Sequence, residues 1–236
     1  GWHENLREFI DSNYELRALI PKYFKPGEAK RLRRNYVLPT SNQFELSIIK
    51  IIRTCLAKKY FWDCSKVFEF GCGTGYHLVS LAQLLPQSEI IGLDWVTASV
   101  QIVQLLAEKY KLRLRGGIFD YYQPDRSLDL DATSAVFTFA SLEQIGDRHK
   151  EFIDFILERK PKICLNVECL EELYDPGDLL DFLALHYHRR RGYLSGYLGR
   201  LRELAERGRV EIIEERRTFF GSTYHEAYAF VAWRPL

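Results

Sequence analysis

Methionine is absent from the 236 residues and the first residue is Gly1, which suits a trimmed or excised segment. Cysteine is scarce. Cys55, Cys64, Cys72, Cys164 and Cys169 are odd in number, form no C-x-x-C pair and have no histidine at zinc-ligand spacing. That pattern argues against a disulfide scaffold, predicts no metal site, and places the chain in a reducing cytoplasm. No apolar run approaches the roughly 20 residues that a bilayer span needs. The amino-terminal stretch GWHENLREFIDSNYEL lacks the apolar centre of a secretory signal. Charge of one sign is also missing: 33 Lys plus Arg against 32 Asp plus Glu leave a net +1. Such a balance argues against a surface built wholly for nucleic acid or an anionic membrane.

What is present belongs to a globular chain. Hydrophobic residues make up 47%, aromatic residues 14% and charged residues 28%. The length allows one α/β domain with an added helical segment. Residues 1 to about 60 carry helical spacing in LREFIDSNYELRALI and FELSIIKIIRTCLAKKYF, joined by a basic connector, KRLRRNYVLPTSN. From residue 66 the rhythm changes. KVFEF, EIIGLD, RLRGGIFD, SAVFTFA and KICLNVE are short apolar strands separated by helical stretches, the pattern of a parallel sheet covered on both faces. A long helical stretch then runs to about Arg207. VEIIEERRTFF and TYHEAYAFVAW, joined by GST, predict a closing antiparallel hairpin, since so short a join excludes a crossover helix. The expected architecture is a Rossmann-like seven-stranded sheet, five strands parallel plus the hairpin, preceded by a helical segment over residues 1–60.

The sharpest motif is Glu69-Phe70-Gly71-Cys72-Gly73-Thr74-Gly75, between a strand and a helix. Glycines there admit φ > 0 and let a ligand approach the backbone, and the following helix presents free N–H groups. Nineteen residues past Gly75 the next strand ends in Asp94, placed to accept from both ribose hydroxyls of a nucleoside. A dinucleotide fingerprint would read G-x-G-x-x-G. Here the glycines fall at G-x-G-x-G, with an acid two residues before the first.

VFEFGCGTG resembles the first motif of the class I S-adenosylmethionine (SAM) dependent methyltransferases, and the resemblance extends from residue 66 to the C-terminus. It implies a SAM-binding domain over residues 61–236, with residues 1–60 folding over the pockets as a lid that brings Asn35 and Tyr36 towards the cofactor. It implies that Gly71, Gly73 and Gly75 pack against the methionine moiety and that Glu69 positions it. Asp94 would hold the ribose and Trp95 would lie near the adenine, with Phe119-Asp120 receiving the adenine amino group. S-adenosylhomocysteine (SAH) would be the product.

Methyl transfer to a hydroxyl calls for a base within hydrogen-bond reach of the acceptor. Glu143 after the fourth strand is the first candidate and Glu168 after the fifth is the second. His225 is the third, in Tyr224-His225-Glu226 on the last strand, where Tyr224, Glu226 and Tyr228 would share one face. His149 reads as part of a solvated helix start. Residues 141–144, Ser-Leu-Glu-Gln, depart from the [DNS]-P-P-[YFW] motif of the family's amine methyltransferases, which argues against adenine or glutamine N-methylation. The stretch from His186 to Arg200 interleaves arginine with tyrosine, and residues 185–217 hold nine Arg against five Glu. It reads as a solvated amphipathic helix with tyrosines in the core, or as a site for an anionic or glycosyl acceptor. The carboxyl-terminal portion resembles a poorly characterised bacterial methyltransferase group, some members being suspected of acting in glycan or natural-product pathways. The expectation is O-methylation of a small polar acceptor such as a sugar or nucleotide-sugar. An RNA or protein methyltransferase using the arginine-rich helix near 189–202, and a non-catalytic SAM-binding partner, are the alternatives.

Overall fold

The computed structural model describes residues 1–22, 24–25 and 27–236. In chain order the elements begin with α1 (Trp2–Asp11), β1 (Lys30–Leu32), β2 (Asn35–Val37), α2 (Phe44–Tyr60), β3 (Lys66–Phe70), α3 (Tyr76–Leu84) and β4 (Glu89–Asp94). They continue with α4 (Thr97–Tyr110), β5 (Leu114–Ile118), β6 (Ser134–Phe139), α5 (Lys150–Arg159) and β7 (Ile163–Glu168). The chain closes with α6 (Leu179–Arg191), α7 (Tyr197–Glu206), β8 (Val210–Arg216), β9 (Phe220–Gly221) and β10 (Ala229–Pro235).

The main sheet has seven strands in the order β5-β4-β3-β6-β7-β10-β8. The first five pair parallel, and β10 runs antiparallel to both β7 and β8. Position in the sheet explains the sequence of each strand. Central β6 and β7 are buried at every residue, as strands covered on both faces must be, whereas edge strand β8 alternates buried and exposed. Side chains leaving opposite faces feed two cores. Phe68, Phe70, Ile91 and Leu93 join Phe152, Phe155, Leu201 and Trp233 on the α5/α7 face. Val67, Ile90, Phe137 and Leu165 join Ile49, Leu56, Leu78 and Leu81 on the α2/α3 face. One buried polar network ties the layers. Asn166 on β7 accepts from Tyr197 Oη at 2.9 Å and Trp233 Nε1 at 2.8 Å, and its amide donates to Thr138 at 3.0 Å. The aromatic groups are thereby satisfied where water cannot reach.

Three sequence expectations are corrected. The basic connector is a hairpin rather than a loop between helices: Arg33 and Arg34 take φ of 51° and 62°, the paired left-handed residues of a tight turn, and β1 and β2 flank it. The helical stretch before Arg207 is broken between α6 and α7, where Gly192 and Gly196 adopt φ of 62° and 70°. The closing strands are not joined by a tight GST turn. Residues 217–228 connect them, and within this connector β9 pairs with β1 to build a second, three-stranded sheet of order β2-β1-β9. The strand alternation expected for Tyr224, Glu226 and Tyr228 therefore fails, because β10 starts only at Ala229. Among the described residues no helix is long and apolar enough to cross a membrane.

Candidate active site

β3 and β6 are neighbours, yet the chain leaves β3 towards β4 on one side and enters β6 from β5 at the sheet edge. This is the switch point where open α/β sheets hold ligands beyond the carboxyl ends of their strands. A cavity of about 510 Å³ opens there, lined by the segments that follow β3, β4, β5 and β6.

The glycine turn forms its floor. Gly71 and Cys72 donate their N–H groups to Leu93 O at 2.8 and 3.0 Å, fastening the turn to the end of β4. Gly71 has φ +70°, and a Cβ on it would stand 2.5 Å from Ser141 Cβ. Gly71 and Gly73 line the cavity. Gly75 instead caps α3 with φ +67° and faces Leu106 and Leu78, so its role is packing.

Asp94 accepts from Gly73 N at 2.8 Å and Val96 N at 3.0 Å. Burial raises its pKa, while these backbone donors pull the other way. Asp120 accepts from Tyr122 N at 2.8 Å, and Phe119, Asp120 and the exposed Trp95 also line the cavity. Glu69 is 2% exposed: its Oε1 meets His77 Nδ1 at 3.0 Å. Glu69 Oε2 and His77 Nε2 have no hydrogen-bond partner. Two unpartnered buried polar atoms thus lie beside the cavity, available to a hydrogen-bonding group. Arg53, buried behind them, donates to Ser80 at 2.9 Å.

Beside the glycine turn Tyr121 Oη and Ser141 Oγ are 2.9 Å apart, and Ser141 Oγ donates to Phe70 O at 2.8 Å. Glu143 lines the cavity and accepts from Gln144 Nε2 at 3.0 Å. Burial, joined by the charge of Glu168, pushes the Glu143 carboxyl up to about 8. Glu168 is fully buried and does not line the cavity. It accepts from the backbone N–H groups of Ser141, Leu142 and Glu143 at 3.2 Å each, holding the segment that carries Glu143. Burial raises its carboxyl to about 7 despite those donors.

His225 also lies outside the cavity lining: it is 7% exposed and hydrogen-bonds His188. His149 is buried rather than solvated and meets Ser195 O at 3.0 Å. Asn35 and Tyr36 stand on the small sheet away from the cavity, with Tyr36 Oη donating to Thr223 O. Tyr197 is core, as one expectation had it, whereas Arg189, Arg190 and Arg191 face solvent. Trp2, His77, Tyr121 and Tyr122 line the cavity without having been singled out. His77 lies two residues past Gly75, and the two tyrosines directly follow Asp120, so proximity to the motifs was their available signal. Trp2 packs its ring over Gly73 from α1 and had none.

No family model matches the chain, and no curated protein matches it. Solved structures do. A SAM-dependent methyltransferase from Aquifex aeolicus superposes with TM-score 0.54 at 12% identity, covering 78% of this chain and 89% of that one. A magnesium protoporphyrin IX methyltransferase from Synechocystis, crystallised with SAH, gives TM-score 0.58 at 12% identity over 97% and 96% of the two chains. An O-methyltransferase from neocarzinostatin biosynthesis, with SAH and a dihydroxynaphthoic acid, gives 0.58 at 17% identity over 82% of this chain and 57% of that one. The fold is that of the class I SAM-dependent methyltransferases.

Proposed function

We propose that the chain is a SAM-dependent methyltransferase that methylates a hydroxyl of a small polar acceptor and releases SAH. The observation that carries this is the charge of the cavity. Glu69, Asp94, Asp120 and Glu143 line it, and among the described residues no lysine or arginine does. An acid-lined cradle disfavours the pyrophosphate of a dinucleotide and favours a ligand bearing a sulfonium and an ammonium. Asp94 would take the ribose hydroxyls, Asp120 the adenine amino group, and the orphaned Glu69 Oε2 and His77 Nε2 the amino-acid tail. SAM supplies an electrophilic methyl group when bound. The chain's own work is to hold the acceptor oxygen in line with that methyl and to take its proton on the Glu143 carboxylate. Trp2, packed over Gly73, supports a lid role for the amino-terminal segment. Every described cysteine is free, which suits a reducing cytoplasm.

The test is incubation with methyl-labelled SAM and fractionated extract, with SAH binding followed by calorimetry. Label in the small-molecule fraction is expected. Label confined to RNA or protein overturns the acceptor class, and absence of SAH binding overturns the whole assignment. Asp94→Ala is expected to weaken SAH binding by about 1–3 kcal/mol, the cost of unsatisfied hydrogen-bonding groups. Gly71→Ala forces a Cβ into Ser141 at a left-handed backbone position, a strain of order 1–3 kcal/mol. Calorimetric SAH affinity should fall with it, and an unchanged value would remove the turn from the binding site.

A further inference from the structure

Behind Glu143, three elements that are distant in sequence converge. Cys169 follows β7, His188 lies in the last turn of α6, and His225 sits in the connector between β8 and β10. One donor atom from each lies within 4.8 Å of the others, and all three residues are buried. We propose that Cys169, His188 and His225 bind a divalent transition metal of borderline softness, with zinc the best match.

The donor set carries the choice. One thiolate and two imidazoles suit zinc, cobalt or copper and do not suit magnesium or calcium, which take oxygen. Tetrahedral zinc with bonds of about 2.0–2.3 Å sets its ligand atoms roughly 3.3–3.8 Å apart. His188 Nε2 and His225 Nδ1 are 2.9 Å apart as a hydrogen-bonded pair, so shifts of about an ångström convert the cluster into a coordination shell. For both nitrogens to ligate, the proton that bridges them must move to a far ring nitrogen. Burial, then the nearby Arg31 charge, pushes His188 down to about 4. Burial, His188 and Arg31 push His225 down to about 3. His188 is 1% exposed, and its Nδ1 has no hydrogen-bond partner, so that nitrogen can carry the ring proton when Nε2 turns to the metal. Burial raises the Cys169 thiol well above its ordinary value, so the incoming cation must displace its proton to solvent as the metal–sulfur bond forms. Arg31 opposes the cation, and Glu143 and Glu168, which both act on Cys169, offset that charge once ionised. The Cys169 thiol donates to the Glu143 carboxyl, so Cys169 ligation takes a donor away from that carboxyl. Sequence spacing could not reveal this cluster, because its members lie 19 and 37 residues apart along the chain.

The test is cobalt(II) titration of the purified, chelator-treated full chain, read by the thiolate-to-cobalt charge-transfer absorption. Uptake of one equivalent, displaced by zinc, is expected. Cys169→Ser should abolish the band and Cys55→Ser, at the exposed cysteine, should retain it. His188→Ala should weaken uptake by more than the roughly 10–100-fold that loss of an outer-shell partner costs. His225→Cys preserves a donor and should retain uptake with a stronger thiolate band, which separates lost ligation from lost folding. Absence of the band in the parent chain, or its loss in Cys55→Ser but not in Cys169→Ser, overturns the site. The readout needs neither SAM nor acceptor, so its failure leaves methyl transfer standing, and the reverse holds too.

Discussion

Glu143→Gln is expected to lower kcat about 10²–10⁴-fold, the usual contribution of a positioned general base. SAH affinity should stay within calorimetric error, because Glu143 follows β6, whereas Glu69 and Asp94, proposed to hold the cofactor, lie at the carboxyl ends of β3 and β4. Glutamine keeps the size and hydrogen bonding of the side chain but cannot accept a proton. The pH profile gives a second readout, taken in chelator. With the carboxyl near 8, the base form grows as pH rises through that value, so the parent rate climbs on its alkaline side. Stability moves the opposite way. The folded pKa lies above the ordinary 4.5, so the folded chain holds more protons than the unfolded chain between these values. Unfolding free energy from Glu143 therefore declines as pH rises from about 4.5 through 8. Glu143→Gln should flatten that decline and be the more stable protein at alkaline pH while turning over more slowly. A variant as active as the parent, with the same alkaline rise, would remove Glu143 from the chemistry.

The central parallel strands were legible because both faces of each are buried, which leaves uninterrupted runs such as SAVFTF and ICLNVE. The glycine turn and Asp94 were legible because backbone geometry and strand end coincide within a short stretch of chain. The edges were not. Arg33 and Arg34 make a tight turn with residues that carry no glycine or asparagine signal, so the hairpin read as a basic connector. β9 is two residues long and exists only because β1 offers it an edge. Without that partner, the stretch from Val210 to Trp233 read as one hairpin with a tight turn, and His225 was assigned to a strand. Burial also separates the three candidate acids and bases in a way residue type cannot. Glu143 faces the cavity, Glu168 turns its carboxylate onto three backbone donors, and His225 turns to His188.

Arg217→Met is expected to destabilise the protein by about 3–5 kcal/mol, as loss of one partner from a buried ionic cluster does. Arg217 donates from Nε to Glu226 at 2.6 Å, from Nη1 to Asp181 Oδ2 at 2.6 Å, and from Nη2 to Asp181 Oδ1. Nη1 also reaches Leu173 O at 3.3 Å, and the guanidinium stacks over the rings of Tyr174 and Phe219. The side chains of Arg217, Asp181 and Glu226 are only 7%, 2% and 3% exposed. Burial works against the Arg217 charge, yet the hydrogen bonds to Asp181 and Glu226 prevail and raise its pKa. Methionine fills the space and strips both buried carboxylates of the guanidinium that pairs with them. The cluster fastens the connector of residues 217–228 to α6, the helix whose His188 pairs with His225. Urea unfolding should show a lower midpoint with an unchanged slope. Replacing all three charges together, as Arg217→Met with Asp181→Leu and Glu226→Leu, should recover most of the loss, because the penalty lies in stranded charge and not in missing attraction. A single variant that loses under about 1 kcal/mol would mean water reaches the carboxylates and solvates them, which is the energetics of a surface pair.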